Sequence, residues 1–153
     1  VTRSQDLALL LLRLSGLGLA LAHGWSKVER LFAGEAARTI EGVARLGFPQ
    51  PELFTWAAAL SEFVGGLCVA LGLATRPAAA LAAFTMGVAA FLRHRAHEHL
   101  LVALGMRHAT PETLEAWGDP EKALLYLAAF LAILAAGPGR YALDARLGRK
   151  GRR

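Results

Sequence analysis

Pro77-Ala78-Ala79-Ala80-Leu81-Ala82-Ala83-Phe84 opens a run to Leu92 without a single charged side chain. Wound as a helix, this stretch is apolar around its whole circumference and has no face to give to water. Three similar blocks share the chain. One runs from Leu7 to Ala22, interrupted by Arg13; another from Leu53 to Ala74, broken by Glu62; the last is Ala123 to Pro138. Four such helices in 153 residues cannot all be central to a soluble core. The reading is an all-α bundle of four transmembrane helices, spans about 6–24, 53–74, 77–93 and 121–137, in one domain. A span takes about 20 apolar residues, which the third and fourth blocks only approach.

Composition agrees with this. Hydrophobic residues make up 55% and charged residues 19%, against a soluble norm of about 45–50% and about 25%, and the mean hydropathy is +0.40. The net charge of +5 is no nucleic-acid signature, because six of the seventeen basic residues lie in the tail 140–153. A basic tail directly after an apolar helix suits anionic headgroups. The lone Cys68 excludes an intramolecular disulfide, a CxxC pair and a four-cysteine zinc site.

Punctuation supports the blocks. Pro77 suits a first helical turn, Gly137-Pro138-Gly139 ends the last helix, and Thr110-Pro111-Glu112 resembles a helix start. Between spans one and two, Gly34 to Leu46 carries Ala36, Ala37, Ile40, Val43 and Ala44 at helical spacing, a short amphipathic helix on the membrane surface. Arg3, an apolar run and Ala20-Leu21-Ala22 imitate a signal peptide, but Asp6 and Arg13 disrupt that pattern. A retained first span is expected. Basic residues tie at eight on each side of the membrane, yet they are denser around the termini, so both termini are expected in the cytoplasm. Trp25, Trp56 and Trp117 fall near span ends on the other side.

Ionisable residues inside spans are functional candidates, because placing them there is costly. Arg13, Gly16, Ala20, His23 and Lys27 recur at spacings of three or four and share a face. Gly16, Ala20 and Gly24 form a small-residue stripe for close helix approach. Glu62 shares a face with Gly65, Gly66 and Val69; Ala83, Gly87, Ala90 and His94 align on the third helix, and Ala128, Ala132 and Ala136 on the fourth. His23, Lys27, Glu62, His94 and Glu121 are expected around one cavity in the outer half of the membrane, with Arg13 nearer the cytoplasm. Each has a plainer role. Glu62 would pair with Arg13 or Lys27 to fix helix register, His23 would bond a carbonyl, and Lys27 would snorkel to headgroups. His94, His97, Glu98 and His99 have spacing suited to a metal, but a solvated helix end explains them as well, and no metal site is assigned. Haem ligation by His23 and His94 has no other support.

The chain resembles the DoxX family of small bacterial membrane proteins. The matching pieces are Leu11-Leu12-Arg13-Leu14, His23-Gly24-Trp25-Ser26-Lys27, Gly47-Phe48-Pro49, Glu62-Phe63-Val64-Gly65-Gly66, Gly72-Leu73-Ala74-Thr75-Arg76, Glu121-Lys122-Ala123-Leu124-Leu125-Tyr126 and Tyr141-Ala142-Leu143-Asp144. The resemblance implies a four-helix membrane fold in the bacterial inner membrane. It also implies association with redox systems, relatives including a subunit of thiosulfate:quinone oxidoreductase and a partner in a thiol-stress oxidoreductase complex. The His94 to His99 run is not a feature of the family as a whole. The leading expectation is a quinone-binding subunit in which Glu62 moves a proton, His23 hydrogen-bonds a quinone oxygen, and Lys27 or Arg13 stabilises negative charge. Its partners are membrane lipids and a soluble or membrane oxidoreductase that supplies electrons. The alternatives are a non-catalytic scaffold docking a soluble oxidoreductase, and a small proton-coupled transporter, which would need to dimerise. The spanning reading requires the protein to pellet with membranes at high speed and to be released by detergent. Recovery in a detergent-free supernatant would end it.

Overall fold

Alanine and leucine dominate the apolar blocks, and both are strong helix formers. The computed structural model describes residues 2–150, and its regular structure is entirely helical among them. In chain order the helices are α1 (Arg3–Phe32), α2 (Ala37–Arg45), α3 (Pro51–Leu71) and α4 (Thr75–Arg93). They are followed by α5 (Ala96–Ala103), α6 (Pro111–Trp117), α7 (Glu121–Ala136) and α8 (Leu143–Lys150). Local chemistry sets the ends. Thr2 and Gln5 form a reciprocal capping box on α1, and the Thr110 hydroxyl accepts from Thr113 N ahead of Pro111. Gly72 and Gly137, at φ of 71° and 87°, close α3 and α7 in conformations that a Cβ would strain.

α1, α3 and α4 are long and apolar enough to cross a membrane. The expected fourth span, α7, has 16 residues, about 24 Å at the helical rise, and falls short of that length. α1 also differs from expectation. It runs on past Gly24 to Phe32, because no breaker follows the glycine and Trp25 to Phe32 keeps helical spacing. Within the stretch Gly34–Leu46, where a short amphipathic helix is expected, a helix forms as α2. It packs on α3 with Arg38, Glu41 and Arg45 exposed.

The bundle is inside-out relative to a soluble protein. Arg13, Ser61, Thr75 and Glu62 are buried alongside Ala20, Ala59, Ala79, Ala82 and Ala90, while Leu7, Leu11, Leu14, Leu21, Leu81, Phe84 and Leu125 are exposed. Water would penalise such a surface, whereas acyl chains accept it. The chain is a multi-pass membrane protein.

Close approach of α1 to α3 organises the interior. A Cβ on Gly16 would lie 2.5 Å from Gly66 O, one on Gly66 would lie 2.6 Å from Gly16 O, and one on Gly24 would lie 2.5 Å from Phe63 N. The stripe read from the sequence is therefore the seam itself. α4 and α7 pack along each other, and Leu19, Val69, Ala79, Ala82, Ala83, Met86, Phe130 and Ile133 form the apolar core. On α7 the expected alanine face is corrected: Ala128, Ala132 and Ala136 are exposed, and Ala123, Phe130 and Ile133 are buried. The larger side chains fill the gap that α4 leaves with its own alanines.

Each of the three long helices contains a π segment: Ala20–Gly24, Ser61–Gly65 and Val88–Arg93. Those of α1 and α3 touch. π turns are uncommon and concentrate at functional sites.

Replacing Gly24 by leucine should lower the detergent-solubilised protein's stability by about 1–3 kcal/mol or more through overpacking. Gly42→Ala, with open space around its Cβ, should leave thermal unfolding unchanged or raise its midpoint slightly.

Candidate functional site

Glu62 is the second residue of the π segment of α3, eleven residues on from Pro51, about 16 Å along the helix. It is 2% exposed. Gly24 lets the two backbones meet at this level, and the facing turn of α1 then delivers Lys27, whose Nζ pairs with Glu62 Oε1. Lys27 itself is about one-third exposed (32%), its stem along the bundle and its head on the carboxylate. Glu62 Oε2 is buried and has no hydrogen-bond partner among the described residues. Leaving a carboxylate oxygen unsatisfied in an apolar interior is expensive, so this atom is poised to accept or, when protonated, to donate. At the preceding residue, Ser61 Oγ accepts from the Thr85 hydroxyl of α4 at 2.9 Å, which ties α3 to α4. His23 is half-buried one turn before Lys27, its ring edge-on to Tyr126 of α7 at 6.0 Å between centroids. Tyr126 in turn stacks on Phe130 at 6.1 Å.

The remaining sequence candidates lie elsewhere. His94 Nδ1 is 3.1 Å from Trp117 O, which ties the end of α4 to the end of α6. His99 Nε2 is 3.0 Å from Gly118 O, and buried Glu98 pairs with Arg107. His97 Nε2 lies 3.7 Å from Glu98 Oε1, and the His94–His99 run serves as a local clasp on the Trp117–Gly118 carbonyls. Among the described residues no group of three His, Cys, Asp or Glu side chains is placed to hold a metal ion. Glu121 is exposed in the first turn of α7.

Arg13 belongs to a second polar cluster, at the end of the bundle that carries both termini. It is 1% exposed and its Nη2 donates to Tyr141 O at 3.3 Å. Gly72 gives it room, since a Cβ there would collide with Nη1. Asp144 caps the start of α4, accepting from Ala74 N and Thr75 N at 2.8 Å and from Thr75 Oγ1 at 2.7 Å. Asp6 accepts from Arg140 N at 2.9 Å. Sequence reading missed Ser61, Thr85 and Tyr126 as neighbours of the site. Their only signal is a hydroxyl or a phenol within an otherwise apolar block. Asp144 and Thr75 each stand in a quoted piece of sequence, but no spacing rule joins residues 69 apart.

The DoxX family model matches residues 8–95, more than half of the chain and the whole of the Lys27–Glu62 seam. No curated protein and no solved structure matches the chain.

Burial raises the Asp144 carboxyl, but the hydrogen bonds from Thr75 and Ala74 and the Arg13 guanidinium outweigh it, and the net shift is downward. An acid whose folded pKa lies below its unfolded one contributes stability above the unfolded value, about 4 for a carboxyl, and loses it as pH falls through the folded value. Thermal unfolding midpoints in detergent should therefore drop below about pH 4. Asp144→Asn should melt lower at neutral pH and show a smaller acid-dependent drop.

Proposed function

We propose that this chain, which belongs to the DoxX family of integral membrane proteins, is a quinone-linked subunit of a redox system in the bacterial cytoplasmic membrane. In this reading it crosses the membrane four times with both termini in the cytoplasm, and α7 supplies the fourth span. α7 is uncharged from Ala123 onward, lies along α4, and turns Leu124, Leu125 and Leu131 outward. The density of basic residues around the termini supports the orientation.

The observation that carries the redox reading is the buried Glu62 carboxylate, one oxygen held by Lys27 and the other unpartnered. That free oxygen fits a hydrogen-bonding partner of quinone type, flat and apolar apart from its carbonyl oxygens. A bound quinone would supply the two-electron, two-proton chemistry. Glu62 Oε2 then holds or gives the proton at a carbonyl oxygen, and Lys27 favours negative charge building there. His23, positioned against Tyr126, offers a ring nitrogen to a second oxygen. Electrons come from an oxidoreductase partner, since one cysteine cannot form a dithiol couple within the chain.

The closed Lys27–Glu62 pair also favours a second reading, a scaffold whose ion pair fixes α1 against α3 and which docks a soluble oxidoreductase. A short-chain benzoquinone or naphthoquinone titrated into the detergent-purified protein separates the two. The redox reading expects saturable binding, weakened roughly 10- to 100-fold in Glu62→Gln, the scale of one charged hydrogen bond, with the melting midpoint within a few degrees of wild type. Should Glu62→Gln fail to fold, Lys27→Gln and His23→Phe provide the same comparison. Absence of binding to wild type, or affinity indifferent to all three changes, would leave the scaffold.

A further inference from the structure

α8 starts where the chain is tied to the span ends. Arg140 N donates to Asp6 Oδ1 at 2.9 Å, Arg13 Nη2 to Tyr141 O at 3.3 Å, and Asp144 N to Gly72 O at 2.9 Å. Between these ties Ala142 is fully buried, seated where Gly72 has no side chain. The segment entering α8 is therefore no free tail. It is held at the turn between α3 and α4, where two apolar spans end.

From that fixed start α8 presents an apolar edge that none of the described residues covers. Leu143 and Leu147, four residues apart and so on one face, are 36% and 57% exposed, and the preceding Tyr141 is 46% exposed. Arg146 is exposed one residue before Leu147, and Arg149, Lys150, Arg152 and Arg153 come next in the sequence. A nucleic acid would reward the basic residues but leave the leucines in water. A bilayer surface rich in anionic lipid satisfies both, because an interfacial helix buries its apolar face while its cations meet phosphates.

We infer that α8 is a docking surface for anionic phospholipid in the leaflet on the side of the termini. Leu143 and Leu147 enter the acyl boundary, and Arg146 contacts headgroup phosphates. The inference is independent of what binds at Glu62.

Depth measurements on the full chain test it. A spin label is placed at Leu147→Cys, or at Gly148→Cys, whose Cβ direction is open, on a Cys68→Ala background, and the protein is reconstituted in two kinds of vesicle. One is phosphatidylcholine alone and the other contains phosphatidylglycerol as well. At position 147 the ratio of oxygen to nickel-chelate accessibility should rise several-fold in the anionic vesicles. It should change less at 148, and Arg146→Glu should reverse it. A label at 147 that stays in water in both vesicles overturns the proposal, and so does equal immersion in neutral lipid. Dipolar broadening at 147 that vanishes on dilution with unlabelled protein would assign the face to a second copy and overturn it too.

Discussion

A carboxylate inside a bilayer must have a cation within reach, and a cation within reach requires two helix backbones in contact. The Lys27–Glu62 pair meets this condition through Gly24, whose missing side chain lets α1 touch α3 at Phe63. Without that contact Glu62 would face either lipid or an empty interior, both costly for a charge. The Gly16–Gly66 contact one level down aligns the same pair of helices. Everything else in the interior is arranged around this seam: the alanines of α4 that admit Phe130 and Ile133, and the Ser61–Thr85 bond that ties the seam to α4.

The two cations that reach into the bundle, Arg13 and Lys27, are handled differently. Arg13 is wholly buried at the termini end, with Tyr141 O as its hydrogen-bond acceptor and Asp144 as the nearby countercharge. Its surroundings are backbone and caps: Gly72, Ala142 and the start of α4. Such a site latches three chain segments together. Lys27 is part-exposed and its partner retains an unsatisfied oxygen. Arg13 Nε and Nη1 and Glu62 Oε2 are all buried without a hydrogen-bond partner among the described residues; the clusters differ in that Arg13 is held by a backbone carbonyl and Glu62 by a part-exposed side chain.

Much of this is legible in the sequence, for a definable reason. Helical periodicity is local, so the shared face of Arg13, Gly16, Ala20 and Gly24 and that of Glu62, Gly65, Gly66 and Val69 emerge by counting, and small residues mark where backbones meet. Counting fails in three places. It cannot tell which small residues face protein, so it turns the α7 alanines inward although that helix buries Phe130 and Ile133. It cannot see that His94 is engaged by a loop carbonyl at Trp117, 23 residues on. It also assumes an unbroken period, whereas π segments interrupt each long helix. Glu121 shows a further limit: depth along a span places it at a helix start, where it is, but only the rotation of α7 decides that it is exposed.

The π segments of α1 and α3 sit where the ion pair forms, and that coincidence has a physical reading. A π turn admits an extra residue and rotates the helix beyond it. In α1 the turn at Ala20–Gly24 forms the part of the seam that lies just before Lys27; in α3 Glu62 is inside the turn. A regular helix at the seam would optimise packing and leave the polar side chains wherever the 3.6-residue period placed them. Accepting poorer backbone geometry at this level releases the side-chain directions from the packing directions, so Gly24 can touch Phe63 while Lys27 still meets Glu62. A bundle selected for stability alone would more readily replace the pair with apolar residues, since a buried ion pair is often no more stabilising than they are. In the proposed quinone-linked reading, the irregular turns set the Glu62 carboxylate beside Lys27 with its second oxygen free for proton chemistry.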